Sequence, residues 1–398
     1  MGTDRTLARR NLLLAFLAQN FGLGMTYGSY GSLLHPIEVE FGLTRAVASS
    51  GMSVMLLVLG LLSPFVGKLL ERISIRFMMV SGALLNGLAN VVLAVAPETG
   101  ILLLGYAVLG AGTCLLGIIA PTTLVSRWYA SGRGRALGMV NLPLILPLAP
   151  LALAAFLPSF GLRGCFAAIA AINFFLTPIF FLVIDQPAHR KGEPQKSAAS
   201  ESCPEILPLK PVFMFPSFWL LTLGNGLLTA AGTVFVVHFL AFAALRGLRF
   251  EEAAQIFTGY GLSGLIGTLA FGWLADRIAP SRALCLNAAL SACLWSLLLL
   301  VSGFASMFVI ACLIGCCTTS LVALQGAVTS SVFGVRYVSS VMGVTYFFKL
   351  PFIFGAAPLI GFLFDRTGGY TSGFLIVIAG FLCATLSFAL VRQFKPSL

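Results

Sequence analysis

Charge is what this sequence has least of. Only 9% of its 398 residues are Asp, Glu, Lys or Arg, where a soluble domain carries about 25%. So few charges cannot cover a water-facing surface, so the solvent for most of the chain is lipid. Acid is scarcer than base, with 13 Asp and Glu against 24 Lys and Arg. No acid falls well inside any of the long apolar runs. No G-x-x-x-x-G-K-[ST] phosphate loop is present, which argues against an ATP-driven pump. No G-x-S-x-G, no H-E-x-x-H and no paired intramembrane acids occur, so an enzyme is not expected. The nine cysteines are scattered and give neither a disulfide frame nor a metal spacing. The adjacent Cys316 and Cys317 are expected to pack rather than react, and no cofactor or metal is expected. Alternating strands of the outer-membrane barrel type are missing. No small-residue cleavage site follows "MGTDRTLARRNLLLAF", so a retained first helix is expected rather than a signal peptide.

What the sequence has is apolar length. Hydrophobic residues make up 59% of it, and the mean hydropathy is +1.00. Apolar segments of about 20 residues, the length that crosses a bilayer as a helix, recur throughout. Their positions predict an all-α membrane protein with twelve transmembrane helices. The spans fall near 11–34, 47–67, 77–96, 101–125, 137–157 and 164–184, then 217–243, 254–275, 282–302, 306–331, 340–363 and 371–391. One long polar stretch, "DQPAHRKGEPQKSAASESCPEILPLKP", separates them. Its charge, Pro and Ser mark a linker. The expected organisation is a six-helix half over 1–185, a cytoplasmic linker over 186–214 and a second six-helix half over 215–398.

The net charge of +11 does not point to nucleic acid, because the basic residues lie in short loops between apolar runs. With the N-terminus in the cytoplasm, the inner segments hold eighteen Lys and Arg and the outer loops hold five, Arg45, Arg163, Arg246, Arg249 and Arg366. That imbalance predicts an integral protein of the plasma or inner membrane with both termini cytoplasmic.

The two halves also match at one fixed offset. Gly42 faces Gly247, Gly67 faces Gly272, Gly110 faces Gly315 and Gly138 faces Gly343, each pair 205 residues apart. A chance similarity would not hold one offset over four landmarks. Two parallel six-helix repeats suit a transporter that rocks about a central site.

After span 2 stand Gly67, Leu69, Glu71, Arg72 and Arg76, and after span 8 stand Gly272, Leu274, Asp276, Arg277 and Arg282. Both stretches resemble the G-x-L-x-D-R-x-x-x-R loop of the major facilitator superfamily, with Glu71 for the usual Asp and one extra residue before Arg282. As a cytoplasmic gate, the acid at a helix end is expected to cluster with arginines such as Arg133 and Arg135, shutting that side until it opens. Within the superfamily the chain resembles the monocarboxylate transporter and oxalate/formate antiporter branch. "RWYASGRGRALG", "FWLLTLGNG", "VVHFL", "IGTLAFGWLADR" and "GFLFDRTGGYTSGFL" carry that likeness. The resemblance implies that the lysine of span 11, here Lys349, binds substrate carboxylate. It also implies an arginine in span 8 at the position of Thr268, with an acid one turn earlier at Gly264. This chain therefore has one of the two cations and no acid partner.

Lys349 stands alone in an apolar run, with Arg336 and Asp365 as its nearest charges in sequence. A mid-membrane charge costs at least about 2.5 kcal/mol unless it is paired, hydrated or neutralised. Arg336 is thirteen residues away, about 20 Å along a helix, beyond the reach of a lysine stem. Lys349 is therefore either an uncharged structural amine or a cation awaiting an anion. One cation fits one carboxylate, so a small organic monoanion is the expected substrate, its apolar part among Phe347, Phe348 and Phe352. Tyr27, Asn141, Asn225, Tyr260, Thr318 and Tyr346 are the candidates to complete the site, with Asn20 and Gln325 as further polar positions. Each of these alone is more often a helix–helix hydrogen bond than a ligand contact. His35 and His238 are candidate proton carriers, so the coupled ion is a proton or a counter-anion. The expected function is secondary active transport by alternating access, as symporter or antiporter, by a monomer. The alternative is an efflux transporter of hydrophobic small molecules; such carriers also have Phe-rich cavities but often keep an intramembrane acid.

Overall fold

A computed structural model describes residues 2–70, 72–117, 119–129, 136, 139–185, 213–333 and 338–391. Among these, the secondary structure is helical without a strand, as lipid demands: backbone polar groups with no water must bond within their own segment. The first half holds α1 (Gly2–Gln19), a π-helical turn (Asn20–Gly24), α2 (Met25–Phe41), α3 (Arg45–Leu69), α4 (Ile75–Val95), α5 (Thr99–Gly117), α6 (Ile119–Trp128) and α7 (Ile145–Phe180). The second holds α8 (Pro216–Leu245), α9 (Phe250–Ile278), α10 (Pro280–Leu300), α11 (Phe304–Phe333), α12 (Val338–Thr367) and α13 (Thr371–Val391). Nine stretches among the described residues are long and apolar enough to cross a membrane. The longest is the 36 residues of Ile145–Phe180, where the two spans expected over 137–157 and 164–184 meet at Gly161, whose φ of 64° turns the chain.

Contacts divide the chain into two units, Met1–Leu43 with Ser50–Glu201, and Thr44–Ser49 with Ser202–Leu398. In the first, α4 packs on α5 and α7, α2 on α7, and α1 on α6. Small residues set these distances: a Cβ on Gly22 would come within 3.0 Å of the Gly117 Cα. Leu14, Ala18, Met78, Met79, Leu116 and Phe180 fill the core beside them.

Span 5 is interrupted near its start, after helical residues 139 and 140. Residues 142–144 are not helical and α7 begins only at Ile145. Pro143 disfavours helical backbone at Leu142, and a side chain from the π-helical turn after α1 takes over the freed amides. Asn20 Oδ1 accepts hydrogen bonds from the Leu144 and Ile145 amides at 2.9 and 3.0 Å, and its Nδ2 donates to the Leu142 carbonyl at 3.1 Å.

In the second unit α9 lies along α11, α10 packs on α11 and α13, and α8 packs on α12 and α13. The α9–α11 seam is built from glycines. A Cβ on Gly267 would collide with the Cys316 backbone, one on Gly264 with Thr319, and one on Gly315 with the Tyr260 carbonyl. Thr319 and Ser263 hydroxyls stitch the seam, donating to the Gly264 and Cys312 carbonyls at 2.9 and 2.6 Å.

The repeat seen in the sequence recurs as contacts inside each unit. A Cβ on Gly110 would strike the Met55 carbonyl just as one on Gly315 would strike that of Tyr260; both members of the pair are shifted by 205. Gly42 and Gly247, another pair at that offset, both take left-handed backbone, with φ of 61° and 81°. That conformation suits glycine and ends the preceding helix.

The first turn of α3, within Thr44–Ser49, belongs to the second unit. There the Asp365 carboxylate accepts from the Arg45 and Ala46 amides, both at 2.9 Å. The Arg45 guanidinium lies 4.2 Å from the Phe364 ring centre and donates to the Tyr370 hydroxyl at 2.9 Å.

Candidate functional site

Lys349 lies in the middle of α12 and is buried, 1% exposed. Its Nζ donates to Gln325 Oε1 on α11 at 2.8 Å and sits 4.6 Å from the centre of the Tyr346 ring, one turn earlier on its own helix. Among the described residues it has no ion-pair partner. Its nearest companions are thus an amide dipole and the face of a ring. Both attract a cation, and neither cancels its charge.

The elements around Lys349 follow from their sequence. Phe348 packs at ring distances of 5.8, 6.1 and 5.1 Å on Phe213, Phe218 and Trp219. A Cβ on Gly226 would come within 2.8 Å of Phe352. Residues 218–226 of α8 therefore run along residues 348–352 of α12. On this stretch of α8, Thr222 and Asn225 are buried, 3% and 2% exposed. Thr222 Oγ1 and Asn225 Oδ1 have no hydrogen-bond partner among the described residues.

The internal repeat gives that orphan acceptor a meaning. Asn225 is the counterpart of Asn20, and Lys349 of Leu144, at the same offset of 205. In the first unit the asparagine clamps a broken helix at residue 144. In the second, α12 runs helical through Lys349, and among the described residues Asn225 Oδ1 is left without a donor. The two repeats thus differ at this position: the Asn20 side chain bonds a backbone break, and Asn225 Oδ1 has no partner among the described residues.

The remaining candidates are spread over both units. In the first, Tyr27 is half-buried, and Asn141 is exposed and accepts from Gln19 Nε2 at 3.2 Å. In the second, Tyr260 is buried against Phe235 with ring centres 4.2 Å apart, its hydroxyl directed at half-buried Thr318. Tyr346 meets Lys349, while Phe347 is 60% exposed. Gly264 and Thr268 account for the missing pair of charges. No side chain fits at 264 beside Thr319, and the Thr268 hydroxyl donates back to the Gly264 carbonyl at 2.9 Å.

His238 is fully buried, with Nε2 3.0 Å from the Ala357 carbonyl and Nδ1 3.3 Å from the Tyr370 hydroxyl. His35 is exposed and 3.4 Å from Glu38. Of the expected gate, Glu71, Arg133 and Arg135 lie outside the described residues, and Gly67 is described only as part of the α3 backbone. Arg72 is exposed, and Arg76 donates from Nε to the Val183 carbonyl at 2.7 Å. Beside it Asp185 accepts from the Ile75 and Arg76 amides at 2.9 and 3.2 Å, holding the start of α4. Burial lowers the pKa of nearby Arg127, partly opposed by Asp185. Asp276 and Arg282 are exposed and have no ion-pair partner among the described residues, while Arg277 stacks 4.0 Å from the Trp273 ring centre. A Cβ on Gly272 would meet nothing, so packing does not require that glycine.

Reasoning from sequence overlooked Gln19, Thr222, Asp185 and Asp365. The offset that paired the loop glycines also pairs Asn20 with Asn225, and was the available signal for a special role of the α8 asparagine.

A family profile described as Major Facilitator Superfamily matches residues 16–350. Monocarboxylate transporter 11 of Homo sapiens is 31% identical over 328 residues, covering 79% of this chain and 68% of that protein. Monocarboxylate transporter 12-B of Danio rerio is 31% identical over 222 residues, 52% of this chain and 46% of that relative, so the match spans under half its length. An uncharacterized MFS-type transporter, YcxA of Bacillus subtilis, is 23% identical over 94% of this chain and 92% of its own. Among solved structures, a bacterial homologue of the human lysosomal transporter Spinster, inward-facing and unoccupied, superposes with a TM-score of 0.79 at 15% identity, covering 98% of each chain. The nucleoside transporter NupG (D323A mutant) gives 0.80 at 11% identity, covering 97% of this chain and 99% of that one. At those identities the likeness is one of fold.

Proposed function

Because the chain belongs to the Major Facilitator Superfamily and is a membrane transporter rather than an enzyme, we propose that it moves a small organic monoanion, a monocarboxylate, by alternating access, with Lys349 as the carboxylate anchor. One observation carries this reading. A lysine 1% exposed in the middle of a membrane helix has a neutral amide at 2.8 Å and no ion-pair partner among the described residues. An incoming carboxylate supplies the missing charge and a charge-assisted hydrogen bond, worth about twice a neutral one. The single cation favours one carboxylate over two. The names of the monocarboxylate transporter relatives support the same substrate class. Asn225 and Tyr346 complete the site from α8 and α12, and Tyr27, Asn141, Tyr260 and Thr318 contribute polar groups as the transporter changes state. Gly67, Glu71, Arg72, Arg76, Arg133 and Arg135, with Gly272, Asp276, Arg277 and Arg282, form the cytoplasmic gate, the distribution of Lys and Arg supporting cytoplasmic termini. His35, exposed and beside Glu38, is the better placed of the two histidines to exchange a proton with water.

The aromatic cluster of Phe213, Phe218, Trp219 and Phe348 favours the second reading, efflux of hydrophobic compounds. Thermal unfolding of the purified protein with a panel of monocarboxylates, oxalate and hydrophobic cations separates the two. Stabilisation by a monocarboxylate that vanishes in Lys349→Ala supports the anion reading. Stabilisation of both proteins by hydrophobic cations alone supports efflux.

A further inference from the structure

We infer that Gln325 is the resident occupant of the Lys349 site, a neutral internal ligand that the substrate carboxylate must displace and that thereby sets anion affinity. The inference rests on the reading of Lys349 as anchor and adds a specificity-determining residue to it.

Gln325 is 5% exposed on α11, and its Oε1 receives the Lys349 Nζ at 2.8 Å, an ordinary length for such a bond. An ammonium has three donors in fixed tetrahedral directions. One is spent on Gln325, and the flank of the group facing Tyr346 is taken by the ring at 4.6 Å. One donor is left, so a carboxylate can approach, but while the amide oxygen stays it shares the ammonium with Gln325 and reaches the cation at full strength only when Gln325 gives way. Glutamine suits this task because its length and hydrogen-bonding match a glutamate while its charge does not. It holds the lysine stem in one position, so the site is preorganised, and it gives way because an amide acceptor binds an ammonium less strongly than a carboxylate does. A glutamate at 325 would instead complete a buried ion pair, whose partners release each other only at high cost. The choice of amide over acid at this one position therefore keeps the cation available to substrate. It also accounts for a span with a lysine and no acid: the lysine's hydrogen-bond partner among the described residues is polar and uncharged.

The test is anion binding to the purified full-length chain in lipid nanodiscs, measured by calorimetry and thermal unfolding with acetate, propanoate and butanoate as probes. It compares the wild type with Gln325→Glu, Gln325→Leu and Lys349→Ala. In Gln325→Glu the internal carboxylate is expected to weaken probe binding by tenfold or more, while the ligand-free protein unfolds at a higher temperature than the wild type. In Gln325→Leu, removal of the competing acceptor is expected to tighten binding about three- to tenfold. This variant leaves no buried charge pair and keeps the test open if Gln325→Glu does not fold. Equal probe affinities in wild type, Gln325→Glu and Gln325→Leu, with loss only in Lys349→Ala, would overturn the role of Gln325 and leave the anchor standing. Weaker binding in Gln325→Leu would equally overturn it, since Gln325 would then assist the anion rather than compete with it. Absence of probe binding to the wild type would overturn both.

Discussion

If Lys349 awaits an anion, replacing it with an apolar side chain of similar length should leave the empty protein as stable as before. Lys349→Met makes the case. Removing a mid-membrane charge gives back about 3 kcal/mol. Against this stand the loss of the charge-assisted hydrogen bond, which leaves the buried Gln325 Oε1 unpaired and is worth about 2 kcal/mol in all, and the contact with the Tyr346 ring, worth about 1 kcal/mol. The two sides cancel. Methionine fills the volume without branching, so repacking adds little. The expected outcome is a melting temperature within about 3 °C of wild type in the absence of anion, measured by intrinsic fluorescence in detergent, together with complete loss of anion-induced stabilisation. A lysine conserving structure instead would show the reverse. Lys349→Met would then melt many degrees lower, and any stabilisation by monocarboxylate would persist in it. That pattern would refute the reasoning.

Other outcomes follow from the same geometry. Asn20→Ala strips the acceptor from two amides at the start of α7 and should cost about 2 kcal/mol, whereas Asn225→Ala, whose Oδ1 bonds to nothing described, should change the empty protein's melting temperature little and act on anion binding. Equal destabilisation by both would contradict the division of roles between the repeats. Gly315→Ala drives a methyl into the Tyr260 carbonyl and should cost about 1–3 kcal/mol by overpacking, seen as a lower melting temperature, and Gly110→Ala against Met55 should behave alike. Asp365→Asn removes the charge from the cap on the first turn of α3; a loss of about 1 kcal/mol is expected in thermal unfolding.

The sequence made some of this legible because lipid leaves so few choices. Long apolar runs had to become helices, and the helices do lie on them. The glycine pairs at a fixed offset pointed to a repeat, and the Met55–Gly110 and Tyr260–Gly315 contacts give that repeat a physical form. Lys349 was conspicuous because a charge is rare in such a run. Its partner was harder to find. Gln325 lies 24 residues away on another helix and looks like any polar residue that ties two helices together. The late start of α7 was also hidden, because it depends on Asn20, a side chain 124 residues distant. Thr222 carries no sequence signal at all. Only the packing of α8 on α12 shows that its hydroxyl is buried without a partner among the described residues. Gly264 and Thr268 were read as losses of a charged pair, and the tight α9–α11 seam adds the reason that no larger side chain fits at 264.

The most direct measurement is uptake of a radiolabelled monocarboxylate into proteoliposomes containing wild type or Lys349→Ala, with trapped unlabelled monocarboxylate and with an imposed proton gradient. Saturable uptake by the wild type under at least one of these drives, and none by Lys349→Ala at equal reconstituted protein, is the result predicted here. Equal saturable uptake by both proteins would contradict the anchor, and no uptake of any monocarboxylate by the wild type would contradict the substrate class.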